Sequence, residues 1–329
     1  MIAYYVHHHG RGHLNRALSI CAQLDEPVVF LSSLPRPQEV RDRDMWVRLP
    51  MDIPDANSET ADVTARGRLH WAPLHVDGLA RRSAKLLQTL VATRPRRVVV
   101  DVSVEVSLLA RLAGVPVTVM AMPGDRTDAA HRLAYDLADS IIAPWSVDVH
   151  RPDSLIDHSD RTHFVGAISR FDGAQEQRSS GAASSQPVAL LLAGAGGTEV
   201  PADALDQLRS ALPRYRWVAA GGVAAWIDDL WPTLVAADLV VSHAGQNAIA
   251  DIALCGKAAI VIPQHRPFGE QHATARALAE TGMAVVTEAW PALRDWPDLA
   301  SKAASLDSRR WKAMNVHGAA ARAAAVIAA

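Results

Sequence analysis

Short apolar runs rich in β-branched residues alternate along this chain with segments whose apolar positions recur at helical spacing. That alternation predicts βαβ units and parallel sheets. Residues 2–6 read as a first strand. Leu14, Ala17, Leu18 and Cys21 share one face and predict a helix over 14–24. Strands follow at 28–31, 98–102, 115–120 and 140–143, with a helix near 103–112. A second set of strands reads at 188–193, 217–220, 239–242, 259–262 and 284–286, with helices near 202–212, 247–254 and 271–281. The alanine-rich tail, 308–329, reads as helical.

Between the two sets lies a small, polar stretch at 174–186, Ala-Gln-Glu-Gln-Arg-Ser-Ser-Gly-Ala-Ala-Ser-Ser-Gln, with the composition of a flexible linker. The pattern therefore predicts an N-terminal domain over 1–173, a linker over 174–186, a C-terminal domain over 187–307, and a terminal helix over 308–329 packing back on the N-terminal domain. At 329 residues the chain exceeds what one hydrophobic core usually serves. In doubly wound sheets ligands bind beyond the carboxyl ends of the strands, so two such domains imply a cleft between them.

Composition narrows the function classes. Hydrophobic residues are 49%, charged residues 21%, and the formal net charge is -2. No basic stretch is suited to neutralising phosphates along a nucleic acid. The two cysteines, Cys21 and Cys255, lie in apolar helical runs and predict neither a disulfide framework nor a zinc site. No signal-peptide pattern and no apolar run of about 18 residues stands out, so a cytoplasmic protein with at most peripheral membrane contact is expected. His7-His8-His9 follow the first strand. Alternation of strand side chains predicts that they do not converge on one ion.

The first strand runs into Gly10-Arg11-Gly12-His13 at the start of a helix. Glycines let a ligand approach the backbone, and the helix N-terminus favours anions. A dinucleotide site would need a third glycine and an acid after the second strand. Asn15 and Ser32-Ser33 stand there instead. His13, kept neutral by the helix dipole, is a candidate general base, with a helix-capping role as the plain alternative. Arg16 one turn on is a candidate for an anionic ligand. Asp101 ends a buried strand and is a candidate to orient His13, or to cap the next helix. Glu105, Arg126 and His131 fall at strand ends and are candidates for holding an acceptor. Arg36, Arg41, Arg43, Trp46 and Trp71 read as a solvated region or an acceptor or membrane face.

The most informative segment runs from Ser242 to Gln271. A strand enters His243-Ala244-Gly245-Gln246-Asn247, which opens a helix that Gly256 ends. Asp251 lies one turn after Asn247, on the same face. This suits a nucleotide-diphosphate sugar, with phosphate at Gly245 and the helix N-terminus, a donor hydrogen bond from His243, ribose hydroxyls on Asp251, and sugar hydroxyls on Glu270 and Gln271.

The run from His243 to Gln271 resembles the donor signature of GT-B UDP-glycosyltransferases, with Asp251 in place of the usual Glu. The C-terminal half also resembles glycosyltransferase family 28, which contains the peptidoglycan lipid-intermediate GlcNAc transferase. Trp226-Ile227-Asp228-Asp229 resembles that family's uracil-reading segment, which implies Ile227 at the base. Gly194-Ala195-Gly196-Gly197-Thr198 resembles its phosphate loop, which implies contacts from Gly196, Gly197 and Thr198. Gly12-His13 resembles the pair that opens helix one in these families, which implies His13 as base beside Gly12. The resemblance implies an α/β, GT-B architecture of two Rossmann-like doubly wound domains facing across a cleft. It also implies metal-independent and inverting transfer from a UDP-sugar, with no cofactor, to a small-molecule, lipid-linked or glycan acceptor. Gly12-His13 with Arg16 also resembles UDP-sugar hydrolases of pseudaminic acid synthesis, so hydrolysis is the alternative, with a catalytically silent nucleotide-sugar binder as a third reading.

Overall fold

The computed structural model describes residues 1–54, 62–174, 186–194, 199–222, 224–225, 227 and 229–329. The 174–186 linker therefore lies almost wholly outside the described residues, as do Gly196, Gly197 and Thr198. The described chain forms two compact units. One comprises Met1–Pro144, Pro152–Val165 and Ala320–Ala329. The other comprises Trp145–Arg151 and Gly166–Ala319.

The first unit holds β1 (Ile2–Val6), α1 (Gly12–Ala22), β2 (Val28–Ser32), β3 (Met45–Arg48), α2 (Asp77–Thr93), β4 (Val98–Asp101), α3 (Val104–Leu112), β5 (Val117–Met120), α4 (Ala129–Leu137), β6 (Ser140–Ala143) and β7 (Thr162–Phe164). Its sheet has the order β3-β2-β1-β4-β5-β6-β7, and every pairing is parallel. The central strands are buried along their whole length, as expected where helices cover both faces. The winding direction reverses between β1 and β4, whose last residues, Val6 and Asp101, are in register.

The second unit holds β8 (Val188–Leu192), α5 (Ala204–Ala211), β9 (Arg216–Ala220), α6 (Trp231–Ala236), β10 (Leu239–Ser242), α7 (Gln246–Cys255), β11 (Ala258–Val261), α8 (Glu270–Glu280), β12 (Val285–Val286) and α9 (Trp296–Ser305). Its sheet runs β12-β11-β10-β8-β9, again parallel. Here the reversal lies between β8 and β10. Ser242 pairs with Leu192, and its hydroxyl donates to the Leu192 carbonyl at 2.9 Å. Leu190, Val240, Ile249, Ile252 and Leu278 pack one core face of this sheet. Leu191, Val241, Ile260 and Trp296 pack the other.

Hydrophobic pattern alone placed the strands of the second sheet and the inner strands of the first, but not the first sheet's edges, β3 and β7. β3 is an edge strand with both ends exposed, so it carries no alternation to detect. α2 is hidden for another reason: a charged residue, Arg82, sits on its buried face beside Leu86 and Leu90. The Arg82 guanidinium donates to the Tyr5 hydroxyl at 2.6 Å, to the Pro50 carbonyl at 2.8 Å and to Ser33 Oγ. The first unit stops short of residue 173. Ala167 belongs to the core of the second unit, and its N–H donates to the Met314 carbonyl at 2.9 Å. The tail is not one helix over 308–329. A 3₁₀ turn at Ser308–Met314 precedes α10 (Ala319–Ala328), whose residues from Ala320 join the first unit. Arg97 and Arg96 donate to the Val326 and Ala328 carbonyls there, satisfying the end of α10.

Gly78, in the first turn of α2, lies against the Met51 carbonyl so closely that a Cβ would collide with backbone. Gly78→Ala is expected to destabilise the first unit by about 1–3 kcal/mol, as overpacking does, read as a lower midpoint in denaturant with α1 and the sheet otherwise intact. An unchanged midpoint would contradict that contact.

Candidate functional site

Both sheet reversals gather chemistry. At the first, Asp101 ends β4 with no solvent exposure, and its carboxylate meets two partners from α1. Arg16 Nε donates to Oδ2 at 3.0 Å and Arg16 Nη2 to Oδ1 at 2.5 Å. His13 Nδ1 lies 2.8 Å from Oδ1. Burial alone would raise the Asp101 pKa. The Arg16 charge, the His13 interaction and the hydrogen bonds outweigh it and hold the carboxyl well below the usual carboxylate range. A carboxylate only accepts, so in the neutral His13 ring the proton sits on Nδ1 and Nε2 is the basic nitrogen. Arg16 Nη2 also lies 3.2 Å from His13 Nδ1. A protonated Nδ1 cannot accept from it, so that approach is packing rather than a hydrogen bond.

Arg16 was expected to face a ligand. It is 3% exposed and its guanidinium is bound to Asp101. Uncovering one side of such a buried pair costs roughly 3–5 kcal/mol, so Arg16 is a structural anchor. The cap of α3 is Ser103, whose Oγ accepts from Val106 N–H, which leaves Asp101 to the His13–Arg16 cluster. Val102, next in the chain, has φ of 64°. A β-branched residue in that left-handed region carries strain, stored in the turn that follows Asp101. Gly12 and His13 are the first two residues of α1, and Gly12 is exposed. β1 ends at Val6, so strand alternation does not govern His7–His9. Their rings cluster instead, with centroids 4.8–5.2 Å apart, and His7 sits edge-on to His13 at 5.7 Å.

At the second reversal, β10 delivers His243, Ala244 and Gly245 to the start of α7. Gly245 provides no side chain to cap the helix, and a Cβ placed there would meet nothing within 4 Å. Gln246 and Asn247 follow in the first turn, both partly exposed. Glu270 opens α8, partly exposed as well. Ile227 is half-buried against the second unit's core.

Three expected ligand groups are engaged by the protein itself. Gln271 Oε1 accepts from Ala244 N–H at 3.2 Å and Gln264 N–H at 2.9 Å, pinning the loop after β10 to the loop after β11. His243 Nδ1 lies 2.9 Å from the Ile262 carbonyl and must donate to it. Burial lowers the His243 pKa, and in the neutral ring the one proton sits on Nδ1, at the Ile262 carbonyl. Asp251 is 2% exposed. Its Oδ1 accepts from Ser169 Oγ at 2.6 Å, and Arg170 Nε lies 3.5 Å from Oδ2. The Asp251 carboxylate, expected at the ribose, is thus buried against Ser169 and Arg170. Neither Ser169 nor Arg170 was foreseen, because residues about 80 positions away in sequence carry no local signal.

The expected acceptor groups also have other work. Glu105 Oε1 accepts from the N–H groups of His70 and Trp71 at 2.7 and 2.9 Å, and Oε2 accepts from Ser103. Arg126 is buried, with Nε donating to the Pro123 carbonyl at 3.1 Å and Nη1 3.2 Å from His131 Nε2. His131 Nδ1 bonds Asp128. Arg41 and Arg43 bind the Leu24 carbonyl, Trp46 stacks on Phe30, and Trp71 Nε1 donates to the Asp52 carbonyl, while Arg36 and Arg43 stay exposed, so this region is tied to the first unit and still faces solvent.

The fold is that of solved GT-B glycosyltransferases. Residues 205–293, which contain β10, α7 and the start of α8, match the glycosyltransferase family 28 C-terminal domain. The chain is 28% identical over 200 residues to the UDP-N-acetylglucosamine–N-acetylmuramyl-(pentapeptide) pyrophosphoryl-undecaprenol N-acetylglucosamine transferase of Rubrobacter xylanophilus, covering 53% of this chain and 56% of that one. The chain thus spans about half the length of that curated relative. Among solved structures it is similar to the glycotransferase of kitacinnamycin, with a TM-score of 0.70, 19% identity and coverage of 99% and 98% of the two chains. It is also similar to the spinosyn rhamnosyltransferase SpnG complexed with thymidine diphosphate, with a TM-score of 0.64, 17% identity and coverage of 97% and 98%.

Burial, opposed by Ser169 and Arg170, raises the Asp251 pKa from 3.8 to about 6. A raised folded pKa stabilises below the unfolded value, and that contribution is lost as pH rises through about 6. Asp251→Asn should therefore gain on the wild type by on the order of 2–3 kcal/mol between pH 4 and pH 8, measured as the difference in denaturant midpoints at the two pH values. A difference independent of pH would refute the buried, unfavourably ionised carboxyl.

Proposed function

We propose that the protein transfers a sugar from a nucleotide-diphosphate donor to an acceptor hydroxyl. One observation carries the reading. At the strand-order reversal of the sheet that contains the family 28 match, Gly245 leaves the N-terminus of α7 open to a ligand. The first N–H groups of a helix have no intrahelical partner, and its dipole favours negative charge, so this is where a diphosphate gains most. Gln246, Asn247 and Glu270 line the same loop ends and are assigned to the donor. The nucleotide is taken to be uridine diphosphate, supported by the donor named for the Rubrobacter relative, with thymidine diphosphate, the ligand named for SpnG, as the competitor.

In this reading His13 Nε2 removes the acceptor proton while the acceptor oxygen attacks the anomeric carbon. The C–O bond to the diphosphate breaks, and the diphosphate leaves with the bonding pair. Asp101 fixes the His13 tautomer and stabilises the imidazolium that forms, as carboxylates do in such dyads. Attack opposite the leaving group inverts the centre. The helix dipole and backbone amides hold the developing charge in the role a metal plays in other transferases. The Asp-x-Asp at Asp42-Arg43-Asp44 precedes β3, and none stands at the C-terminal end of a strand among the described residues; transfer is expected to survive chelation of divalent ions.

His13→Ala should lower kcat by about 10²–10⁴, the usual range for a general base, with donor affinity unchanged. Near-normal turnover would remove His13 from the chemistry. The donor site has a separate test. Gly245 has φ of -70° and open space at its Cβ position, so Gly245→Val should fold normally while filling the approach to α7. Calorimetry with UDP-, dTDP- and GDP-sugars should show one preferred nucleotide, weakened at least about tenfold (1.4 kcal/mol) by Gly245→Val at constant melting temperature. Unaltered affinity in that variant would place the nucleotide elsewhere.

A further inference from the structure

A second cluster of side chains in the first unit takes no part in the proposed transfer. His70, Asp128 and His131 each offer a ligand atom, and these atoms lie within 4.8 Å of one another. His70 Nε2 is 3.3 Å from Asp128 Oδ1, and His131 Nδ1 bonds Asp128 Oδ2. The two imidazole rings lie with centroids 4.3 Å apart and planes tilted by 57°. Donor atoms on a tetrahedral zinc ion at about 2.0–2.1 Å stand roughly 3.3 Å apart, so the His70–Asp128 spacing already has the required size. We propose that these three residues form a binding site for a divalent ion of the zinc class, which ties the loop carrying His70 to the N-terminus of α4.

The surrounding structure prepares that geometry from both sides. Glu105 accepts the N–H groups of His70 and Trp71, and Ser103 in turn bonds Glu105, so the His70 loop is fixed from α3. Asp128 caps α4: Oδ1 accepts from Ala130 N–H at 3.0 Å and His131 N–H at 3.1 Å. A carboxylate has about four acceptor positions, so the cap and a metal bond are compatible. Two imidazoles and one carboxylate favour zinc, cobalt or nickel over magnesium or calcium. The side chains of His70 and Asp128 are 29% and 37% exposed, which gives an ion a route in and leaves a coordination position for water.

One proton does move. His131 Nδ1 bears the hydrogen it gives to Asp128, and Arg126 Nη1 points at Nε2 from 3.2 Å. For Nδ1 to bind a metal through its lone pair, the ring must hold its hydrogen at Nε2 instead. That breaks the approach of Arg126, which only donates. Metal-bound imidazoles want an acceptor behind them. Arg126 therefore weakens the site, and a side chain that can accept should strengthen it.

The test is titration of the intact protein with Zn²⁺ by calorimetry and with Co²⁺ by its visible d–d bands. One ion per chain is expected. His70→Ala and Asp128→Asn, the latter able to keep the α4 cap, should each weaken binding at least about tenfold. Arg126→Gln, whose amide oxygen can accept from Nε2–H, should tighten it by about tenfold, the scale of outer-shell effects. Absence of Co²⁺ bands, binding that survives His70→Ala, or binding abolished only by replacing His7, His8 and His9 would each overturn the assignment. A tighter Arg126→Gln variant would not follow from a merely structural role for the cluster.

Discussion

Reversals of strand order decide where this protein can hold a ligand. A parallel sheet whose strand order reverses sends the loops on either side of the reversal to opposite faces, which leaves a crevice at the strand ends. The chain makes that reversal twice, between β1 and β4 and between β8 and β10. The first brings α1 and Asp101 together; the second brings the α7 N-terminus and the end of β8 together. Every residue given a chemical role in donor binding or proton transfer sits on a loop or helix start leaving one of those strand ends, or on the neighbouring β11–α8 connection.

The two sites treat buried charge differently. Asp101 is fully buried yet stays ionised, because Arg16 and His13 together outweigh its desolvation. The result is a fixed imidazole with a defined basic nitrogen. Asp251 is buried with weaker compensation from Ser169 and Arg170, and its carboxyl is pushed up to about 6. It fastens α7 to the segment around Ser169 rather than presenting charge to a ligand. At the second reversal His243, Gln271 and Asp251 build the loop ends, and Gly245 leaves open space before α7.

The amino-acid pattern alone determined the strands at both sheet centres, the helices α1, α3, α5, α7 and α8, and the positions of the loops that matter, because a strand buried on both faces is apolar throughout and glycine marks the turns. It also singled out His13 and Asp101, since strand ends and helix starts are visible locally. It missed β3, β7, α2, α4, α6 and α9; at β3 an exposed edge and at α2 a buried arginine erase the hydrophobic period. Only the tertiary structure decided what each polar group faces. Arg16 turns to Asp101, Asp251 to Ser169, Glu105 to the His70 loop, and His70 meets Asp128 and His131. The physical reason is the same each time. A buried polar atom must find a partner wherever the fold supplies one, and those partners lie as much as 85 residues away in the chain, beyond the reach of any local periodicity.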